Sequence, residues 1–276
     1  MSSALSTGLH PVRSAAASEV ASRARRGWLS RLGRQSIALA AFFLLWEILP
    51  RTDLVDSVFL PPFSLALGAL WRMLLSGALF EHLAASLTRV LAGLLLAILV
   101  WIPAGLVIGS TRRLAEILDP LLELFRNTAP LALLPVFTLM LGIGETSKIA
   151  MVFYSASWPL LLSTITAVRT VDPLLLKAAR SMGLGPVALF RKVVLPASVP
   201  SIFTGIRLAA GLSLLVLIAA EMVGAKAGLG YLVNAAQFNF QIPEMYAGIL
   251  TLSLLGVGLN AILVAVQRRL MRWNQA

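Results

Sequence analysis

From Val90 to Ser110 the chain carries no charged side chain. An uncharged stretch of that length belongs either in a deeply buried core or in lipid. Further apolar stretches recur along the chain, giving six in all, at about 35–50, 83–109, 119–142, 147–168, 202–224 and 246–267. A spanning helix needs roughly 20 such residues. The first stretch is the weakest, being short and carrying Glu47 just before Pro50 and Arg51. Six spans are expected, or an odd number if the first does not cross. Composition excludes a water-soluble fold: 58% of residues are hydrophobic and 13% charged, with a mean hydropathy of +0.87. That is too little charge to cover a water-facing surface. The expected fold is therefore an all-α integral membrane protein, with one domain over residues 35–267.

The net charge is +11. In a membrane protein, excess Lys and Arg mark the cytoplasmic side, so no nucleic-acid partner is implied. With the N-terminus inside, the inner flanks hold about three times as many basic residues as the outer flanks. The inner group includes Arg112, Arg113, Arg169, Lys177, Arg180, Arg191, Lys192, Arg268 and Arg269; the outer holds Arg51, Arg72, Arg89, Lys148 and Lys226. Both termini are then cytoplasmic. Residues 1–34, rich in Ser, Ala and Arg with Glu19 as the single acid, read as a disordered basic tail, though the composition also fits a transit peptide. Residues 268–276 read as a short second tail.

Several chemistries are excluded. There is no cysteine, and the only histidines, His10 and His82, lie far apart, so no metal site is expected. The chain lacks a G-x-x-x-x-G-K-[ST] phosphate loop and a G-x-S-x-G turn. No catalytic residue and no bound cofactor are expected. Pro103, Pro120, Pro130, Pro135 and Pro159 fall in or beside spans two to four. Each removes a backbone donor, a defect that lipid tolerates only where protein or a watery cavity repairs it. Those spans are expected to pack in a bundle. Gly105 and Gly109 have the spacing of a close helix contact, while Gly228-Leu229-Gly230 reads as an external turn.

The inner loop, about 170–200, holds the most informative pattern. In Asp172-Pro173 the carboxylate caps free amides and the proline fits a first helical turn. A short helix is predicted over 174–182, ended by Gly183 in the left-handed conformation. Gly185-Pro186 opens a second short helix over 187–194, which Pro196 stops. The small side chains of Ala178 and Ala179 permit close approach by another surface, and Phe190, Val193 and Val194 stand among Arg191 and Lys192. Such a hairpin suits a partner's groove. It equally suits an amphipathic loop resting on lipid headgroups.

Lys177-Ala178-Ala179-Arg180-Ser181-Met182-Gly183, followed by Phe190 and by Leu195-Pro196, resembles the "EAA" loop of binding-protein-dependent ABC importer permeases. Ala178, Ala179, Gly183, Leu195 and Pro196 match the motif, whereas Lys177 stands where the family usually has Glu. Leu60-Pro61-Pro62, Ser86 to Gly93, Pro130 to Pro135, Gly142 to Glu145, Val168 to Pro173, Ala219 to Met222 and Gly228 to Tyr231 are similar to the nitrate/sulfonate/taurine/bicarbonate branch. The resemblance implies a type I importer fold of six transmembrane helices in an inner membrane. It implies two ATP-binding subunits docked on the loop, a second permease copy, and a solute-binding protein outside. ATP and Mg would be used by the partner, and the solute would be a small, in most cases anionic, molecule.

Ionisable residues inside spans are functional candidates by default. Arg126 lies about two turns into span three, where it would draw an anion through, or else pair with Glu123 or mark a capped helix break. Arg207 and Glu221 lie near the two ends of span five, where they either line a path or snorkel to the interfaces. Ser155, Ser163 and Thr166 in span four and Asn260 in span six offer polar groups for a path or bond neighbouring backbone. The rival class, a secondary transporter driven by an ion gradient, predicts internal inverted repeats and paired midplane acids. No repeat is visible, and the acids lie near span ends.

Overall fold

The computed structural model describes residues 37–52 and 55–271; the tail read as 1–34 lies outside it, as do residues 272–276 of the tail read as 268–276, whose first residues, 268–270, are helical. Every regular element among the described residues is helical. The chain divides into two compact units between Leu65 and Ala66. In the first, α1 is helical from 37 to 48 and a 3-10 turn follows at Leu49–Thr52. Glu47 pairs with Arg51 and accepts the Ser64 amide at 2.9 Å, while the Trp46 indole donates to the Pro61 carbonyl at 3.1 Å. The helix α2 spans Phe63–Leu75.

The second unit is built on three long helices, α3 (Ala78–Ser110), α6 (Glu145–Arg169) and α9 (Leu195–Met222). Lipid supplies no hydrophobic drive between helices, so association depends on close packing. Here small residues provide it. A Cβ on Gly93 would lie 2.5 Å from Val152 Cγ1, one on Gly105 2.7 Å from Thr164 Cβ, and one on Gly109 2.9 Å from Val168 Cβ. These glycines fall four or a multiple of four apart, along one ridge of α3 that faces α6. Gly205 of α9 meets Ser163 of α6 in the same way. Between them Ala97, Ala156, Leu160, Ala209 and Ala210 form the shared core.

Among the described residues, four helices are long and apolar enough to cross a membrane: α3, α6, the continuous helix Pro186–Met222, and α11 (Ile242–Leu270). The stretch predicted as span three is not one straight helix. It divides into α4 (Arg112–Arg126), a 3-10 turn Pro130–Leu133, and α5 (Leu134–Leu141), with an 80° bend. The break follows from Pro130, which holds Ala129 in extended conformation, ψ 118°. Asn127 and Thr128 side chains bond back to the Glu123 and Leu124 carbonyls at 2.8 and 3.2 Å, satisfying groups the helix abandons. Counting the bent pair as one span gives up to five crossings among the described residues.

Span five also departs from expectation. Pro196 does not stop the short helix before it. After α8 (Pro186–Leu189) the chain makes one π-helical turn, Phe190–Val194, and continues into α9. Proline has no N–H and clashes with the carbonyl four residues back. The wider turn, in which the Leu195 amide reaches Phe190, absorbs that defect without ending the helix.

A capped hairpin and a buried ion cluster at opposite ends of the core

The helix α7 (Pro173–Ser181) begins as the sequence dictates, with the Asp172 carboxylate accepting the Leu174 amide at 2.8 Å. It ends on Gly183 at φ 78°. The Gly183 amide bonds Arg180 O at 2.9 Å and the Leu184 amide bonds Ala179 O at 3.3 Å, the paired closure that satisfies the last carbonyls of a helix. Gly185 then caps α8, its carbonyl accepting the Leu189 amide at 2.8 Å. Ala179 faces inward and is buried; Lys177, Ala178 and Gly183 are exposed, and Phe190, Leu195 and Pro196 are half-buried. Ser198 anchors the hairpin's far side, donating to Ala167 O at 3.2 Å and Val194 O at 2.8 Å.

At the other end of α3, α6 and α9 lies a cluster that the sequence did not reveal. Arg89, 3% exposed, donates to both oxygens of Glu145 at 2.5 and 2.6 Å, to Glu221 at 2.6 Å and to the Ala227 carbonyl at 2.7 Å. Glu221 is fully buried. It also accepts Ser86 Oγ at 2.8 Å and the Gly230 amide at 2.8 Å, and Ser86 accepts the Leu229 amide at 2.8 Å. Gly228 bonds His82 Nδ1 at 3.2 Å. A Cβ on Gly228 would run into the Glu221 carboxylate, so only glycine fits. Lys148, also buried, donates to Gly144 O at 3.1 Å. The cluster thus ties the start of α3, the start of α6, the end of α9 and the turn before α10 (Leu229–Phe238).

The remaining path candidates do not gather in one place. Ser155 is buried at the α6–α9 contact, donating to Val152 O at 2.9 Å, and Ser163 packs against Gly205. Thr166 and Asn260 are exposed and Arg207 is half-buried. Arg126 is 58% exposed and 3.8 Å from Glu123. Its neighbour Phe125 stacks on Trp158 at 5.5 Å, which fastens the end of α4 to α6. Among the described residues no group of His, Asp and Glu has the arrangement of a metal site.

Comparison with known proteins agrees with this architecture. The family described as the binding-protein-dependent transport system inner membrane component matches residues 90–274. The taurine transport system permease protein TauC of Escherichia coli (strain K12) is 35% identical over 259 residues, covering 91% of this chain and 94% of TauC. The aliphatic sulfonates transport permease protein SsuC of Bacillus subtilis, so named as putative there, is 31% identical, covering 92% and 91%. The nitrate import permease protein NrtB of Leptolyngbya laminosa is 34% identical, covering 70% and 69%. A chain of the MetNI methionine ABC transporter, solved in inward-facing conformations, superposes with a TM-score of 0.58 at 19% identity, covering 68% of this chain and 92% of that one. Its likeness is one of fold. On the match over residues 90–274 and the relatives at 31–35% identity, the chain belongs to the binding-protein-dependent ABC transporter permeases of the inner membrane.

Proposed function

We propose that this chain is the translocating subunit of an ATP-driven importer and that it carries a small solute, in most cases anionic, of the sulfonate, taurine, nitrate or bicarbonate kind. The observation that carries the reading is the capped hairpin 172–189, a rigid exposed projection at one end of a tightly packed helical core. The solute class rests on what the relatives named taurine, sulfonate and nitrate permeases are named for.

In this reading the chain crosses the membrane six times with both termini in the cytoplasm, and two copies enclose the path. Two ATP-binding subunits grip the two hairpins, binding ATP and Mg themselves, while this chain binds no nucleotide. A solute-binding protein docks on the opposite face. ATP binding favours one of two arrangements of the complex and its hydrolysis releases it; only such differential binding moves an equilibrium between states. Arg126 and Arg207 supply positive charge along the way.

The test is reconstitution of the chain with the ATP-binding subunit that co-purifies from detergent and with its solute-binding protein, using taurine and nitrate as probes. ATP-dependent uptake of either is expected. Uptake that follows an imposed ion gradient without ATP would favour a secondary transporter and overturn the proposal.

A further inference from the structure

The bend between α4 and α5 closes over a group of aromatic side chains. Phe125, at the end of α4, stacks on Trp158 of α6, with ring centres 5.5 Å apart and planes inclined by 5°. Phe137, on α5, lies 5.9 Å from Tyr154 of α6. Each arm of the bend thus lays one ring on the same stretch of α6. Tyr154 meets Trp158 edge-on at 5.7 Å, and Trp101 of α3 completes the group at 6.3 Å from Trp158. Among the described residues, Trp101 Nε1, the Tyr154 hydroxyl and Trp158 Nε1 are buried and have no hydrogen-bond partner. The Trp46 indole, by contrast, donates to a backbone carbonyl. Folded proteins pair nearly all their buried polar atoms. Three unpaired groups in one cluster, two of them able only to donate, point to an acceptor from outside the chain.

We infer that this cluster, together with Arg126, is a binding site inside the membrane for a small oxyanion, a sulfonate or nitrate group. The inference rests on the importer reading above and deepens it, naming where the charged group of the solute is held. The charge beside the cluster is positive. Arg126 follows Phe125 in the chain, is 58% exposed, and comes no nearer to Glu123 than 3.8 Å. That separation is beyond hydrogen-bond range, so the guanidinium keeps donors for a ligand. Trp158 falls at the middle of α6 (Glu145–Arg169), deep in the bilayer. The chain leaves helical form at 127–129, and Asn127 and Ala129 are exposed there. Irregular backbone at membrane depth persists only where protein covers it or a water-filled cavity borders it. An oxyanion group presents acceptors alone, which suits donors of this kind. Leu122 and Leu161 pack on the same rings, and such apolar surroundings strengthen each bond formed. Phe125 and Phe137 sit on separate arms of one 80° bend, so a change in that angle uncovers the donors.

The test follows the indole N–H signals of the full chain in nanodiscs of neutral lipid, with isotope-labelled tryptophan, as nitrate or methanesulfonate is added. The signals of Trp101 and Trp158, assigned by Trp101→Phe and Trp158→Phe, are expected to shift saturably while those of Trp46 and Trp71 stay. Chloride at equal ionic strength should move none of them. Tyr154→Phe and Arg126→Gln should each weaken anion binding about tenfold. Thermal unfolding separates binding from structure. Tyr154→Phe removes an unpaired hydroxyl, so without the anion it should melt like wild type. It should also lose most of the rise in melting temperature that the anion gives wild type. Indoles that stay fixed at every anion concentration would assign the donors to bound water and overturn the inference. So would an equal response to chloride. Responding indoles in a chain whose reconstituted complex shows no ATP-driven uptake would remove the importer reading and leave the site. ATP-driven uptake with unmoved indoles would do the reverse.

Discussion

Arg89 divides its donors between two carboxylates and a carbonyl while almost wholly removed from solvent. Removing one partner of a buried pair is far more damaging than replacing both, because the survivor is left charged and unpaired. Arg89→Met is therefore expected to destabilise the fold by about 3–5 kcal/mol, read as a lowered unfolding temperature in detergent. Arg89→Met with Glu221→Met should recover part of that loss; a double variant less stable than the single would refute the pairing. Little of this was legible beforehand. Arg89 reads as a cation at an outer flank and Glu221 as a snorkelling or path residue. The partners lie 56 and 132 residues away along the chain, so no local spacing signals them. The one available clue is that charges in apolar helices seek one another.

The elements were more legible than their joints. Cap chemistry is local, so Asp172, Gly183 and Gly185-Pro186 predicted α7 and the start of α8 to within a residue. Where a proline's effect depends on what surrounds it, sequence misled: Pro130 broke a span that hydropathy joined, and Pro196 was absorbed by a π turn. Gly183→Arg puts a side chain at φ 78° and on the exposed hairpin. Transport and ATPase coupling should be lost while membrane insertion persists; normal uptake by that variant would refute the coupling role. Packing glycines give a paired contrast. Gly93→Ala must displace Val152, and overpacking of this kind costs about 1–3 kcal/mol. Gly258→Ala meets nothing within 4 Å and should be neutral or stabilise by up to about 1 kcal/mol. Unfolding in detergent compares the two, and equal losses would contradict the α3–α6 contact.

At the scale of the whole molecule, topology is the quantity to measure. The all-helical class was plain from apolar runs, whereas the number of crossings was not, since hydropathy does not see an 80° bend. The native chain has no cysteine, so single cysteines report sidedness cleanly. A thiol at Ser181 should react with an impermeant reagent only from the cytoplasm, and one at Lys226 only from outside; both reacting from one side would invert or break the topology. The unbroken helix from Pro186 to Met222 has 37 residues, about 55 Å at 1.5 Å per residue. One end carries the exposed projection and the other the carboxylate of Glu221. If a partner grips the Pro186 end, as the proposed function has it, that rod would serve as a crank, passing torque to the far surface along one piece of backbone, with the π turn as the place where it would give.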